Sequence, residues 1–536
     1  MPTQITRKSG YNNARTWKDV IQNSSTNACP VYYISIGNHV PYANESSPNS
    51  IVDTIAEEKL FWDNMFAAKR VTGNDVEMVV PKVNWSANVK YRQYDDTIIL
   101  SDLVSTNTAQ NLNPMYVITS ERNVYKCLSN NSSANSTVEP SGNYTTSNGN
   151  IATADGYIWK YMYNIKPSNK FLTDEWIPAP ISVDALDYGT SNTGIVDGEL
   201  TTIIVTDPGV NYRQAANIRV DAFSSGQTTL RLSNTTLTLG IFNIPALSNL
   251  ANMSISGTGI PSSVHIESIA NTTGVITLSS PTTSFGGNAN NITISTRVYI
   301  DGTGTGAEAN ATLSNTSSGI SSANANVSKI TVTTIGTGYS TANVFIYGSG
   351  SGANARVILS PKFGHAYNPA RELLSNSVMM AIRVGEADST EAGLISVDTS
   401  FRQLGLFRDP HKYGQNTRVI LSTANSVISQ TTDLSVVAGL GYTLNEKVYQ
   451  GSPSNPSAFG FVNAQTSNEV RLTKVKGTFV SGLSLIGETS GISRTVVTIT
   501  PPEFQPYTGD VLYIENDVKT DRADGQAENL KFIVKF

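Results

Sequence analysis

Apolar and polar residues alternate with a period of two along most of this chain, which predicts short β-strands. In DGYIWKYMYNI (155–165), Tyr157, Trp159, Tyr161, Tyr163 and Ile165 share one face of a strand, because successive side chains point to opposite sides. Such an aromatic stripe suits either a glycan-stacking platform or a buried sheet face. Ile158 and Met162 on the other face favour burial. SVMMAIRV (377–384) predicts a buried strand, and FRQLGLFRDP (401–410) a strand stopped by its proline. In LKFIVKF (530–536), Leu530, Phe532, Val534 and Phe536 share one face, so the last strand is expected to be tied into a sheet. Period 3.6 shows mainly over 51–70, which predicts a helix with Val52, Ile55, Phe61, Trp62, Met65 and Phe66 near one stripe. PARELL (369–374) suggests a second, short helix. The Ser/Asn/Thr-rich stretch 129–154 predicts an exposed loop.

From about 195 to 360 the texture changes to short strands separated by Gly, Asn and Ser turns, and two repeats appear. VYIDGTGTGAEANATL (298–313) recurs as VFIYGSGSGANARVIL (344–359), an offset of 46. Separately, IIVTDPGVNYRQAANIRV (203–220) resembles ITVTTIGTGYSTANVFI (330–346), with Gly209 over Gly336 and Tyr212 over Tyr339. Such repetition predicts duplicated β-modules that stack or pair. Aromatic-rich strands return after Pro361, are interrupted by a barrel- or sandwich-like interval at 425–497, and resume to the end. The fold class expected is therefore mainly β with a few helices: a multi-layer β-sandwich core with small β-modules inserted. The core would comprise 1–195, 361–424 and 498–536, with inserted modules at 196–360 and 425–497.

Composition supports this reading. Charged residues are 15% of the chain, against about 25% in ordinary domains, and Asn, Ser, Thr and Gly replace them. Those residues serve strands and polar turns better than long helices. The net charge of −5 argues against broad binding to a nucleic-acid backbone. No apolar run of membrane-spanning length occurs, and the N-terminal residues lack the apolar stretch of a secretion signal, so a soluble protein made in a reducing cytoplasm is expected. Two cysteines, Cys29 and Cys127, are too few for a disulfide scaffold and are expected as buried free thiols.

Signs of catalysis are sparse. The runs Gly302–Gly306 and Gly348–Gly352 are followed by strand-like alternation, whereas a phosphate cradle needs a helix there. Tight turns or bulges are expected instead. His39, His265, His365 and His411 are too far apart in sequence for a metal pair such as HExxH. Asp95-Asp96 and Glu57-Glu58 read as solvated carboxylates. No GxSxG elbow occurs.

Several separated motifs together resemble one family, the baseplate wedge subunit of T-even-like contractile phage tails. They are YYISIGNHVPY (32–42), VVPKVNW (79–85), VYKCL (124–128), VEP (138–140), DGYIWKYMYNI (155–165), FRQLGLFRDP (401–410), TGDVLYIEN (508–516) and AENLKFIVKF (527–536). Their order and C-terminal placement resemble that family's. The match spans the discontinuous core and leaves 195–360 and 425–497 outside. The resemblance implies a non-enzymatic virion protein of the tail baseplate, a homodimer whose other partners are wedge and tail proteins. From the residues themselves no cofactor, metal, nucleic acid or membrane partner is expected. The resemblance marks Cys127, Tyr157, Trp159, Tyr161, Phe401, Arg402, Phe532 and Phe536 as core motif residues. A tail-fibre or adhesin-type protein that grips a host glycan is the alternative.

Overall fold

The computed structural model describes residues 7–24, 29–97, 115–145, 149–181, 194–232, 250–270, 273–284, 292–317, 320–321, 325–384, 399–421, 427–437, 439, 441–521 and 527–536. The protein is mainly β, with three α-helices among those residues, Arg7–Gln22, Ile55–Asn64 and Pro369–Glu372. The chain divides into two compact units, Met1–Val80 with Trp176–Ala179 and Ser375–Phe536, and Pro81–Glu175 with Pro180–Leu374. This division corrects the expectation of one body from 1–195, 361–424 and 498–536. Residues 81–175 belong with the repeat region, because Leu128, Tyr94 and Met115 share a core with Ile358 and Leu374. Aromatic richness marked burial but not which body a strand joins.

In the first unit, one antiparallel sheet runs in the order Val427–Ser429, Met65–Arg70, Tyr32–Gly37, Ser400–Arg408, Asp510–Asp521. Tyr33 pairs with Phe407 across two of these strands. Their rings, 5.5 Å apart, cluster with Phe61, Trp62 and Phe504. A second sheet has the order Glu528–Lys535, Ser377–Val384, Val76–Pro81, Trp176–Pro178. Helix Arg7–Gln22, which the sequence reading missed, buries Tyr11, Ala14, Lys18 and Ile21 at helical spacing.

The helix expected over 51–70 occupies only Ile55–Asn64. Thr54 caps it, its side chain accepting from the Glu57 N–H, with Glu57 and Glu58 in the first turn. Met65–Arg70 is a strand instead, because MFAAKR is buried on both sides beside Tyr32–Gly37. Val52 and Ile55 are 60% and 72% exposed, outside the core. The interval 425–497 holds a closed antiparallel barrel of six strands, from Thr432–Val436 through Ser493–Thr500, filled by Leu434, Val448, Val462, Leu472 and Leu485.

The second unit contains an aromatic sheet, Tyr116–Ile118, Asn123–Ser129, Ile158–Asn164, Asn150–Ala152. It also contains a six-stranded sheet in the order Ala342–Tyr347, Arg297–Gly302, Thr305–Leu313, Val327–Thr337, Leu200–Val210, Ser351–Leu359. Here the two sequence repeats prove to be halves of one unit: a long strand, a glycine-tyrosine turn, then two shorter strands joined by a glycine-rich link. The first copy uses 200–210, Tyr212 and 297–313; the second uses 327–337, Tyr339 and 342–359. The long strands are offset by 127 (212 to 339) and the strand pairs that follow by 46 (298 to 344), so the first copy carries 81 extra residues between its halves. That insert has its own core, including Val220, Ile266, Ile276 and Ile292. Its outer strands, Ala215–Ile218 and Ile292–Ser295, pair with each other.

The glycines lock the copies together. Gly209 and Gly336 have φ of +62° and +60°, and a Cβ there would lie 2.5 and 2.6 Å from backbone nitrogens. Tyr339 lies so close to Gly304, and Tyr212 to Gly350, that a Cβ would fall 2.4 and 2.5 Å from the ring carbons. The runs expected as tight turns thus give tyrosine rings bare backbone to lie on.

Candidate functional site

The residues singled out from the sequence fall in different units. Cys127, Tyr157, Trp159 and Tyr161 lie in the second, within a core that also holds Tyr91 and Tyr125. Trp159 is fully buried, stacked on Tyr157 at 5.4 Å. Burial pushes the Cys127 thiol well above its ordinary value. Cys29 is only half-buried, which corrects the expectation of two buried thiols; both are free. Phe401, Arg402 and Phe532 are buried in the first unit. Arg402 pairs with Glu45 at 2.9 Å and donates to the His39 carbonyl. Phe536 is 39% exposed, not core: its strand ends at Lys535, and the ring rests on Trp17.

Two further expectations change. Stretch 129–154 is largely exposed over 131–145, as expected, but Asn150–Ala152 is a strand and the loop is anchored. Asp155 accepts from the Ser136 hydroxyl and the Thr137 and Val138 amides, and Ser136 is fully buried. Residues 146–148 of that stretch lie outside the described residues. Asp95 and Asp96 are not simply solvated, since together they hold the Arg356 guanidinium.

A buried charge cluster escaped the sequence reading. Lys126 and Lys160 are register partners on adjacent strands, both fully buried. Lys160 pairs with buried Glu199 at 3.1 Å and Lys126 with Glu372. Burial raises the Glu372 carboxyl, but Lys126 and His365 outweigh it and hold it at about 2. His365 is lowered to about 4 by burial, then by Lys126. Period-two alternation gave no sign of it, because a lysine between aromatics reads as the wet face. Each lysine has its own carboxylate, so the cluster pins four segments together. Among the described residues, no three His, Cys, Asp or Glu side chains are placed to hold a metal ion. A cleft of about 560 Å³ in the same unit is lined by Arg92, Asn130, Ser132 and Lys329, where strands 200–210 and 327–337 share the single registered pair Ile203 and Ile330.

The first unit carries a surface of another kind. Asp510–Asp521 and Glu528–Lys535 are edge strands of their sheets among the described residues. Leu512, Tyr513, Val518 and Ile533 on them are 45%, 45%, 50% and 38% exposed. Between the strands runs a groove of about 460 Å³ with Trp17, Leu406 and Phe532 in its lining and Glu515 and Lys531 beside them. Tyr513 meets Phe532 edge-on at 5.8 Å. Long edges bearing exposed apolar side chains are a liability unless something covers them. Open backbone edges offer a partner main-chain hydrogen bonds, and the groove offers side-chain pockets. The sequence matches no described protein family and no curated protein.

Proposed function

We propose that this protein is a structural subunit of a contractile-tail baseplate wedge, working as a homodimer that also binds non-identical tail proteins in the virion. The observation that carries the reading is the apolar groove between the two C-terminal edge strands. The same strands, TGDVLYIEN and AENLKFIVKF, are among the motifs that resemble the wedge family. A scaffold subunit acts by burying self-complementary and heterologous surface, and closed symmetry sets its copy number. Obligate interfaces of this kind bury about 2,000 Å² or more and are poor in Lys and acidic residues at their centre. A charge content of 15% suits that use.

Light scattering after size exclusion tests the proposal. The expected result is a dimer that Tyr513→Glu with Ile533→Glu converts to folded monomer. A wild-type chain that is monomeric both in solution and in assembled tails would overturn it.

A further inference from the structure

The duplicated sheet displays an aromatic row that the wedge reading does not use. Strands Arg297–Gly302 and Ala342–Tyr347 pair with Arg297 opposite Tyr347, Tyr299 opposite Phe345 and Asp301 opposite Asn343. These six side chains form a two-by-three array on one face, because alternation sends Val298, Ile300, Val344 and Ile346 into the core. Tyr299 and Phe345 are 41% and 43% exposed. Their ring centroids lie 6.2 Å apart with planes 33° apart; Phe345 and Tyr347 lie 6.4 Å apart with planes 14° apart. Arg297 lies over Tyr299 and Tyr347 at 5.1 and 5.8 Å, which steadies both. Tyr299 and Phe345 hold equivalent positions in the two copies, so the duplication itself sets these rings side by side.

We propose that this array is a glycan-binding site. A ring face is electron-rich, and the axial C–H bonds of a sugar ring are electropositive, so the two stack. Two exposed rings side by side, with Tyr347 next to Phe345, offer adjoining platforms for neighbouring sugars of a chain. Exposed Asp301 and Asn343 close the array with a carboxylate and an amide, acceptor and donor groups for adjacent hydroxyls. Tyr and Phe hold their shape with few rotatable bonds, so binding orders little side chain. The inference stands apart from the wedge reading, since it concerns the other compact unit.

Affinity electrophoresis of the full chain in native gels tests it, with dextran, xylan, hydroxyethylcellulose and delipidated bacterial lipopolysaccharide as probes. At least one polysaccharide is expected to retard the wild type. Tyr299→Ala with Phe345→Ala should weaken that retardation at least tenfold at an unchanged melting temperature and oligomeric state. Tyr299→Phe, which keeps the ring, should retain binding. Absence of retardation by every probe, or full retardation of the double variant, overturns the proposal. Loss of a co-purifying tail protein by the double variant, without any polysaccharide effect, overturns it in favour of protein docking.

Discussion

Two aromatic stripes in the second unit have nearly the same sequence grammar and opposite fates. Tyr157, Trp159 and Tyr161 alternate along one strand and are all buried. Arg297 and Tyr299 on one strand, with Phe345 and Tyr347 on its neighbour, alternate just as cleanly, yet Tyr299 and Phe345 are exposed and Arg297 and Tyr347 only half-buried. What differs is the reverse face. Behind Trp159 sit the buried Lys126, Lys160 and Met162, so that sheet is packed on both sides. Behind Tyr299 sit Val298 and Ile300, which supply a one-sided core for their barrel-like sheet. A stripe of rings is a binding surface only where the opposite face alone suffices to hold the strand.

Removing the buried ring should have the largest effect. Trp159→Ala is expected to cost about 3–5 kcal/mol in chemical denaturation, the usual range for a large core aromatic. A cost below about 0.5 kcal/mol would place this stripe with the open one and erase the contrast.

Acid should separate the stripes next. His365 titrates at about 4 in the fold and near 6.5 when unfolded, so the unfolded chain binds the proton first. Its contribution is fully present above pH 6.5 and is lost as pH falls toward 4. Glu372, held at about 2, adds a loss from about 4.5 downward in the same direction. The His365 share is on the order of 3 kcal/mol. Melting temperature should fall between pH 6.5 and 4, and His365→Gln should flatten that limb. An unchanged limb in the variant would remove His365 from the account.

The smallest effect belongs to the open row. Tyr299→Ser should alter stability by less than about 0.5 kcal/mol, as an exposed substitution does. A loss above about 2 kcal/mol would mean the ring is part of the core.

Much of this architecture was legible in the alternation pattern. Strand faces at 158–164 and 528–535 followed from period two, the strands at 377–384 and 400–408 from apolar content and a closing proline, and both repeats were visible from glycine and tyrosine spacing. Three things were not. The helix after Thr54 stops at Asn64 because the next residues are buried on both faces, and a local helical pattern carries no information about what packs on its far side. Lys126 and Lys160 lie in the dry interior because Glu372 and Glu199 come from segments distant in sequence. The unit boundary at Val80–Pro81 cuts through a continuous run, VVPKVNW, with no linker composition to mark it. The candidate surfaces were less legible still, since exposure of Tyr513 or Tyr299 depends on strand order in the sheet. Strand order is a property of the whole chain.

The interrupted repeat also bears on how this chain can change. In the second copy, two residues separate Tyr339 from the strand starting at Ala342; in the first, a self-contained folded body sits at the same link. Widening a link ordinarily costs closure entropy that grows with the logarithm of its length. Here the inserted body zips its own ends together through Ala215–Ile218 and Ile292–Ser295, so the host repeat meets two neighbouring strand ends. Pairing its own ends in this way, the inserted body presents the six-stranded sheet with a link no wider than a pair of adjacent strands, so the closure cost of 81 extra residues is not borne by the host.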